Sequence, residues 1–330
     1  MKKLIASLTL AAMLLVTMTG CGAASEKETT KTANNNEKLK IGIVQSMNHP
    51  SLDEIREYTI IGLEELGMND KVEVIFKDAQ SDPTNVNTII SQYVGDNVDM
   101  IIPVATGAAQ SAAAATKDIP IVFAAVSYPV QAGLVKNMKV TDENITGISN
   151  AIAIEDIFKL SQELTPNVKT YGFIYNAGEV NAVAGIERAR AYCDANGLKY
   201  IEATIANSSE LLQATQSLIG RVDAIFTPND NTVALAMPVL SAEAIKAGIP
   251  VYVGADSLVK DGGFATVGID YKVLGRQVAA MAKRILDGET IEENPVEIIN
   301  QYSNIINITT AKALGIKIDE EVLKNFQVIE

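Results

Sequence analysis

The chain has 330 residues, with 27 Lys and Arg against 40 Asp and Glu, a formal net charge of −13 and a pI of about 4.7. A body this acidic does not seek nucleic acid or anionic lipid through bulk charge. One His and two Cys leave no clustered donor set for a zinc site, and no metal or other cofactor is expected.

Lys2 and Lys3 precede an apolar run, Leu4 to Val16, that is too short to span a bilayer and reads as the core of a secretory signal. Thr19 and Gly20 are small enough to let a peptidase reach the backbone, and Cys21 offers a thiol for diacylglyceryl transfer. Met18-Thr19-Gly20-Cys21 resembles a bacterial lipobox, with Met18 where Leu is more usual. The resemblance implies a signal peptide over 1–20 and a mature chain anchored through acyl chains on Cys21 to the extracytoplasmic face of a cell membrane. Residues 21–38 carry almost nothing to bury and read as a lipidated flexible stalk. Cys193, in the helical pattern Glu187 to Asn196, is then left without a partner and is expected as a partly buried free thiol.

From Leu39 onward, short apolar β-branched runs alternate with helical patterns, which predicts a doubly wound α/β protein with mostly parallel sheets. The runs are Lys40 to Val44, Val72 to Phe76, Met100 to Val104, Ile121 to Val126, Tyr171 to Tyr175, Tyr200 to Thr204, Ala224 to Thr227, Val251 to Gly254 and Ala265 to Ile269. Most are apolar at nearly every residue, so they read as strands covered on both faces. An internal repeat organises them. Val98-Asp99-Met100-Ile101-Ile102-Pro103 is echoed by Val222-Asp223-Ala224-Ile225-Phe226-Thr227-Pro228. Each is followed by a helix and an Ile-Pro strand, Ile119-Pro120-Ile121 and Ile249-Pro250-Val251.

The repeat predicts two Rossmann-like lobes joined by a multi-strand hinge. The turn signals of Thr141 to Ala153 place a first passage between lobes near Ser149, and the helix Leu274 to Leu286, followed by an apolar run at Val296 to Ile299, suggests a return. The lobes would then be residues 39–149 plus about 271–299, and about 150–270 plus 300–330.

Ligands of open parallel sheets bind beyond the carboxyl ends of the strands, where helix N-termini face the crevice. The residues that follow the strands are therefore the candidates: Met47 and His49; Thr106, Gly107 and Ala108; Ser127 and Tyr128; Asn176, Glu179 and Asn181; Asp230 and Asn231; and Asp256. Thr106-Gly107-Ala108 presents a hydroxyl and free amides that suit a carboxylate, or is simply a capped helix start. Asp230 and Asp256 either accept from a ligand ammonium or hydroxyl or cap their own helices, and Glu179 and Asn181 stand at a helix start where such residues are common in any protein. His49 lies one helical turn before Asp53, yet no G-x-S-x-G, P-loop or GxGxxG accompanies it, so no enzyme is expected.

From Leu39 to about Asn300 the chain resembles the ABC transporter substrate-binding proteins of the tryptophan/tyrosine-type group, which have the type I periplasmic-binding-protein fold. The words that carry the resemblance are His49-Pro50-Ser51-Leu52-Asp53, Ala105-Thr106-Gly107-Ala108-Ala109-Gln110, Thr116-Lys117-Asp118-Ile119-Pro120-Ile121-Val122, Tyr175-Asn176 with Gly178-Glu179, Val222-Asp223-Ala224-Ile225, Asp230-Asn231-Thr232 and Leu274-Gly275-Arg276-Gln277. The resemblance implies a monomer that captures an amino acid, often aromatic, by hinge closure and delivers it to permease and ATPase subunits. It also implies a carboxylate cradle at Thr106 to Ala108, an ammonium partner in Asp230, and a second-lobe wall of Asn176, Glu179 and Asn181. Two departures stand out: Ser127-Tyr128-Pro129 replaces Thr-Asp-Pro, and Thr106-Gly107-Ala108-Ala109 replaces Thr-Pro-Ala-Ala. Tyr128 then offers an aromatic wall or a phenolic hydrogen bond where the family has an acid. Asn and Asp in the same fold also suit a sugar, although the absence of Trp removes a favoured stacking surface, and a surface adhesin or sensory receptor is a further alternative.

Overall fold

The computed structural model describes residues 38–140 and 143–330; the signal segment, Cys21 and all but the last residue of the stalk lie outside the described residues. The chain builds two sheets in turn. Strands β1 (Leu39–Gln45), β2 (Val72–Asp78), β3 (Met100–Val104), β4 (Ile121–Ala124) and β5 (Ile145–Ser149) come first, followed by β6 (Thr170–Asn176), β7 (Lys199–Ile205), β8 (Ala224–Thr227), β9 (Val251–Val253) and β10 (Ala265–Ile269). The last three are β11 (Glu297–Ile298), β12 (Tyr302–Asn307) and β13 (Phe326–Ile329). The 6-stranded sheet has the order β11-β5-β4-β3-β1-β2 and the 7-stranded sheet β13-β12-β10-β9-β8-β6-β7. All pairs are parallel except β10 with β12.

The order of the strands means that the chain passes between sheets after β5, after β10 and again after β11. Helices fill the connections: α1 (Pro50–Glu65), α2 (Pro83–Gly95), α3 (Thr106–Ala115), α4 (Ile154–Leu164), α5 (Val180–Asn196), α6 (Leu211–Leu218), α7 (Asn231–Ala234), α8 (Met237–Lys246), α9 (Asp256–Lys260) and α10 (Tyr271–Leu286). Although α10 follows a strand of the second sheet, it packs on α1 of the first. Glycines make this packing close: a Cβ on Gly275 would stand 2.7 Å from the Ile55 carbonyl oxygen, and one on Gly62 2.7 Å from Ala279 Cβ.

The repeat read in the sequence has a structural counterpart. Ile101 N–H donates to the Pro120 carbonyl at 3.0 Å, and Ile225 N–H donates to the Pro250 carbonyl at 2.9 Å, so each Ile-Pro unit starts its strand against the same neighbour. Two expectations need correction. Strands β2 and β7 are not covered on both faces; each is the edge of its sheet and only partly buried, with Phe76 38% exposed. The stretch Thr141 to Ala153, read as turn signals, contains β5, whose Gly147 fits with a Cβ position 2.2 Å from the Phe123 carbonyl oxygen. Only glycine tolerates that approach.

The apolar side chains of the central strands are buried under the helices, and Cys193 lies in the second-lobe core with no disulfide partner, its thiol pushed up to about 12 by burial. No helix among the described residues is long and apolar enough to cross a membrane.

Candidate functional site

The carboxyl ends of β1, β3 and β4 face those of β6, β8 and β9 across a cleft with two chambers. The inner one has a volume of about 50 Å³ and is walled by His49, Ser51, Thr106 and Ser127 from one side and Asn181, Asn229, Asp230 and Asn231 from the other. Asn150 and Tyr271, on the passages between sheets, close its back. The outer chamber, about 620 Å³, shares Thr106, Asn181 and Asn231 with the inner and adds Met47, Val86, Val180, Ile205 and Leu235 as apolar wall. Its size falls within the roughly 300–1,000 Å³ of small-molecule sites.

Residues Ala105 and Ala125 end β3 and β4, and both adopt left-handed backbone, with φ of 83° and 57°. Both also line the inner chamber. Positive φ in a residue with a Cβ is strain, held here by the surrounding sheet: Ala105 N–H is fixed to the Ala124 carbonyl at 3.0 Å. The turn at Ala105 aims the start of α3 at the cleft. Ala105, not Thr106, is the N-cap, and the first intrahelical bond runs from Ala109 N–H to the Ala105 carbonyl, so the amides of Thr106, Gly107 and Ala108 precede the helix ladder.

On the opposite wall two acids organise the start of α7. Asp230 is its N-cap; one carboxylate oxygen accepts from Val233 N–H at 2.8 Å and the other from Asn176 N–H at 2.6 Å. Glu179 accepts from Asn231 N–H at 3.0 Å, Thr232 N–H at 2.9 Å and the Thr232 hydroxyl at 2.7 Å. Desolvation, and then the negative charge of Glu179, raise the Asp230 pKa above the carboxylate range, while the backbone donors only partly offset them. Backbone donors of Asn176, Val233 and Thr232 act on the Asp230 carboxylate, which with about four lone-pair sites keeps room for a further donor. Among the described residues lining either chamber there is no Lys or Arg.

The lobes touch around the inner chamber. The Ser51 hydroxyl donates to the Ser257 hydroxyl at 2.7 Å, and Asn229 Nδ2 reaches Ser127 Oγ at 3.5 Å. Ser127 Oγ donates to Asn150 Oδ1 at 3.0 Å, and Asn181 Nδ2 donates to the Asn229 carbonyl at 2.9 Å.

Of the residues expected from sequence, His49, Thr106, Ser127, Asn181, Asp230 and Asn231 line the inner chamber, and Met47, Gly107, Asn176 and Glu179 the outer one. The Ala108, Tyr128 and Asp256 side chains fall outside both. Ala108 lies in the first turn of α3 with its side chain buried and can offer only its amide, and the Tyr128 ring is buried with Arg188 5.9 Å from its centroid. Asp256 pairs with Lys260 at 3.0 Å in a separate recess beside Glu54 and Lys272. Asp53 is held by Gln45 at 2.8 Å and Arg56 at 3.2 Å.

Sequence reasoning missed the loop Ser81-Asp82-Pro83 after β2 and Ile205-Ala206 at the end of β7, both on the outer wall. The signal was available: both segments end strands, and the rule applied to the other strands reaches them too. Tyr271, two residues beyond β10, falls under the same rule, whereas Asn150 carried no such signal because β5 before it was not read as a strand.

A family model described as ABC transporter substrate binding protein matches residues 40–329. Over 322 residues the chain is 37% identical to a tyrosine-binding protein of Clostridioides difficile (strain R20291), covering 96% of this chain and 93% of that one. The structure of an ABC domain from Streptococcus pneumonia in complex with L-Trp, 36% identical, superposes with a TM-score of 0.86 over 89% of this chain and 100% of that one. The ligand-free, open structure of a Clostridium difficile substrate-binding protein with adhesive properties, 35% identical, gives 0.71 over 88% of this chain and 99% of that one. At nearly equal identity the tryptophan complex superposes better than the ligand-free, open structure, and the two walls of the cleft are in hydrogen-bond contact here.

Proposed function

Because the chain belongs to the family of ABC transporter substrate-binding proteins, whose members bind solutes and are not enzymes, we propose that it captures a free aromatic amino acid, tyrosine or tryptophan, between its two lobes. The fold is the type I periplasmic-binding-protein fold. One observation carries the reading: in the inner chamber donors stand on the first-lobe wall and the acid Asp230 on the second, and among the described residues lining either chamber there is no Lys or Arg to neutralise it. A zwitterion satisfies both walls. Its carboxylate meets the amides of Thr106, Gly107 and Ala108, and its ammonium meets Asp230, the buried acid of the inner chamber.

Volume assigns the remainder of the ligand. The inner chamber, at about 50 Å³, is smaller than the roughly 150 Å³ that holds a benzene ring, so it takes the head group. The ring then extends into the outer chamber beside Met47, Val86, Ile205 and Leu235. The Clostridioides relative named for tyrosine and the Streptococcus domain bound to L-Trp support the aromatic choice.

Closure is driven by the ligand, since only the closed form brings both walls to it, and the closed form is the one offered to permease and ATPase subunits. Residues 39–149 plus about 271–299 form one moving lobe, and about 150–270 plus 300–330 the other. Acyl chains on Cys21 hold the monomer at the outer face of the membrane; a Cys21→Ser chain that stays in the membrane fraction would remove that part of the reading. Isothermal calorimetry of the ligand-free protein with tyrosine, tryptophan and phenylalanine tests the central claim. One-to-one binding is expected, and neither heat nor thermal stabilisation with any of the three overturns it.

A further inference from the structure

His49 is the single histidine of the chain, and its place is unusual. It is the N-cap of α1, with extended backbone at φ −158° and ψ 137°, but its side chain makes no capping bond; Pro50 begins the helix instead. The imidazole is only 8% exposed and lines the inner chamber, where Nε2 is buried without a hydrogen-bond partner. A buried polar atom with no partner is rare in a folded protein and points to a group that arrives later. Asp53, the acid one turn along α1, is engaged with Gln45 and Arg56 and does not supply that partner.

We propose that His49 is a ligand-binding residue whose Nε2–H donates to the carboxylate of the amino acid in the inner chamber, beside the amides of α3. The assignment rests on the amino-acid reading above. It follows the polarity of the inner chamber, because His49 lines the same wall as Thr106 and Ser127, and Asp230 belongs to the other wall. Burial lowers its pKa, outweighing the opposite pull of Asp261, Asp53 and Asp256, and so keeps the imidazole neutral. A neutral ring serves this wall well: it gives the carboxylate a second kind of donor without leaving a buried cation in the empty site.

The test crosses two ligands with two variants. Tyrosine and tyramine, which differ by the carboxylate, are titrated into the wild type, His49→Leu and His49→Gln. Loss of the donor in His49→Leu is expected to weaken tyrosine by roughly 10- to 100-fold, the span of a hydrogen bond to a charged group, and tyramine by less than about threefold. His49→Gln restores part of the tyrosine affinity through its amide. Equal losses for the two ligands would reduce His49 to a matter of shape and overturn the assignment.

A second measurement needs no variant. With one histidine in the chain, a long-range nitrogen–proton spectrum shows one imidazole, expected as the Nε2-protonated tautomer and shifted by tyrosine but not by tyramine. Tyrosine binding that leaves the imidazole resonances unmoved removes His49 alone. Failure of tyrosine, tryptophan and phenylalanine to bind removes the amino-acid reading and this assignment together.

Discussion

Asp99 and Asp223 hold the same position in the two lobes: Asp99 accepts from Lys40 N–H at 2.7 Å, and Asp223 accepts from Lys169 N–H at 2.9 Å and Thr170 N–H at 2.8 Å. Each aspartate stands just before the third strand of its lobe and ties down the start of the first strand beside it. The backbone donors there have no ladder partner of their own, and a carboxylate from the neighbouring strand supplies one. The same solution at equivalent places gives the sequence repeat a physical cause.

Ser51 and Ser257 join α1, beside the first sheet, to α9, beside the second, through a hydrogen bond. Under the proposed closure this bond is expected to form only when the cleft shuts. Ser51→Ala is expected to weaken tyrosine binding by about 0.5–1.5 kcal/mol, the worth of an ordinary hydrogen bond, without a comparable loss of fold stability. Calorimetry alongside urea unfolding separates the two effects, and an unchanged affinity would mean that the contact contributes nothing to closure.

Asp230 is expected to make stability depend on pH, and, if it pairs with the ligand ammonium as proposed, binding as well. Its pKa is higher in the folded, ligand-free protein than in the unfolded chain. As pH rises above the ordinary aspartate range the unfolded state ionises first and binds fewer protons, so this residue's contribution to stability falls until the folded carboxyl ionises too. A bound ammonium reverses the shift: it draws the pKa down, a proton leaves on binding, and tyrosine affinity increases with pH over the same interval. Titrations in buffers of different ionisation heat should count that proton. Asp230→Asn should abolish the proton release and weaken tyrosine by about 2–5 kcal/mol, and a pH-independent affinity in the wild type would contradict the pairing.

Gly275 sets the distance between α1 and α10. A Cβ there would meet Ile55 O at 2.7 Å, Tyr58 Cβ at 2.8 Å and Thr59 N at 2.9 Å, two of them backbone atoms that cannot rotate away. Gly275→Ala is expected to cost about 1–3 kcal/mol, read as a lower unfolding midpoint. A variant as stable as the wild type would show that the helices can separate without penalty.

How much of this was legible depended on where a residue's partners lie. Met100 to Val104, Ala224 to Thr227 and Ala265 to Ile269 were readable as strands to the residue, because each is central in its sheet and every side chain is buried. Strands β12 and β13 were not: Tyr302 and Ser303 are exposed, Val328 is 44% exposed, and the pattern never becomes an apolar run. Thr106 and Asp230 were legible as cleft residues because they directly follow strands. The burial of Tyr128 was not, since its ring meets Arg188, 60 residues away in sequence, an approach no local pattern encodes.

Tyr271 stands where β10 hands the chain to α10, wholly buried by the lobes and forming part of the inner chamber. The protein has no Trp, so its own ultraviolet emission comes from tyrosine alone and leaves the red edge of indole excitation dark. An indole ligand would bring its own colour to that background and quench the phenol beside it by energy transfer. The proposed capture of tryptophan is therefore testable optically, in real time, with no dye and no engineered residue.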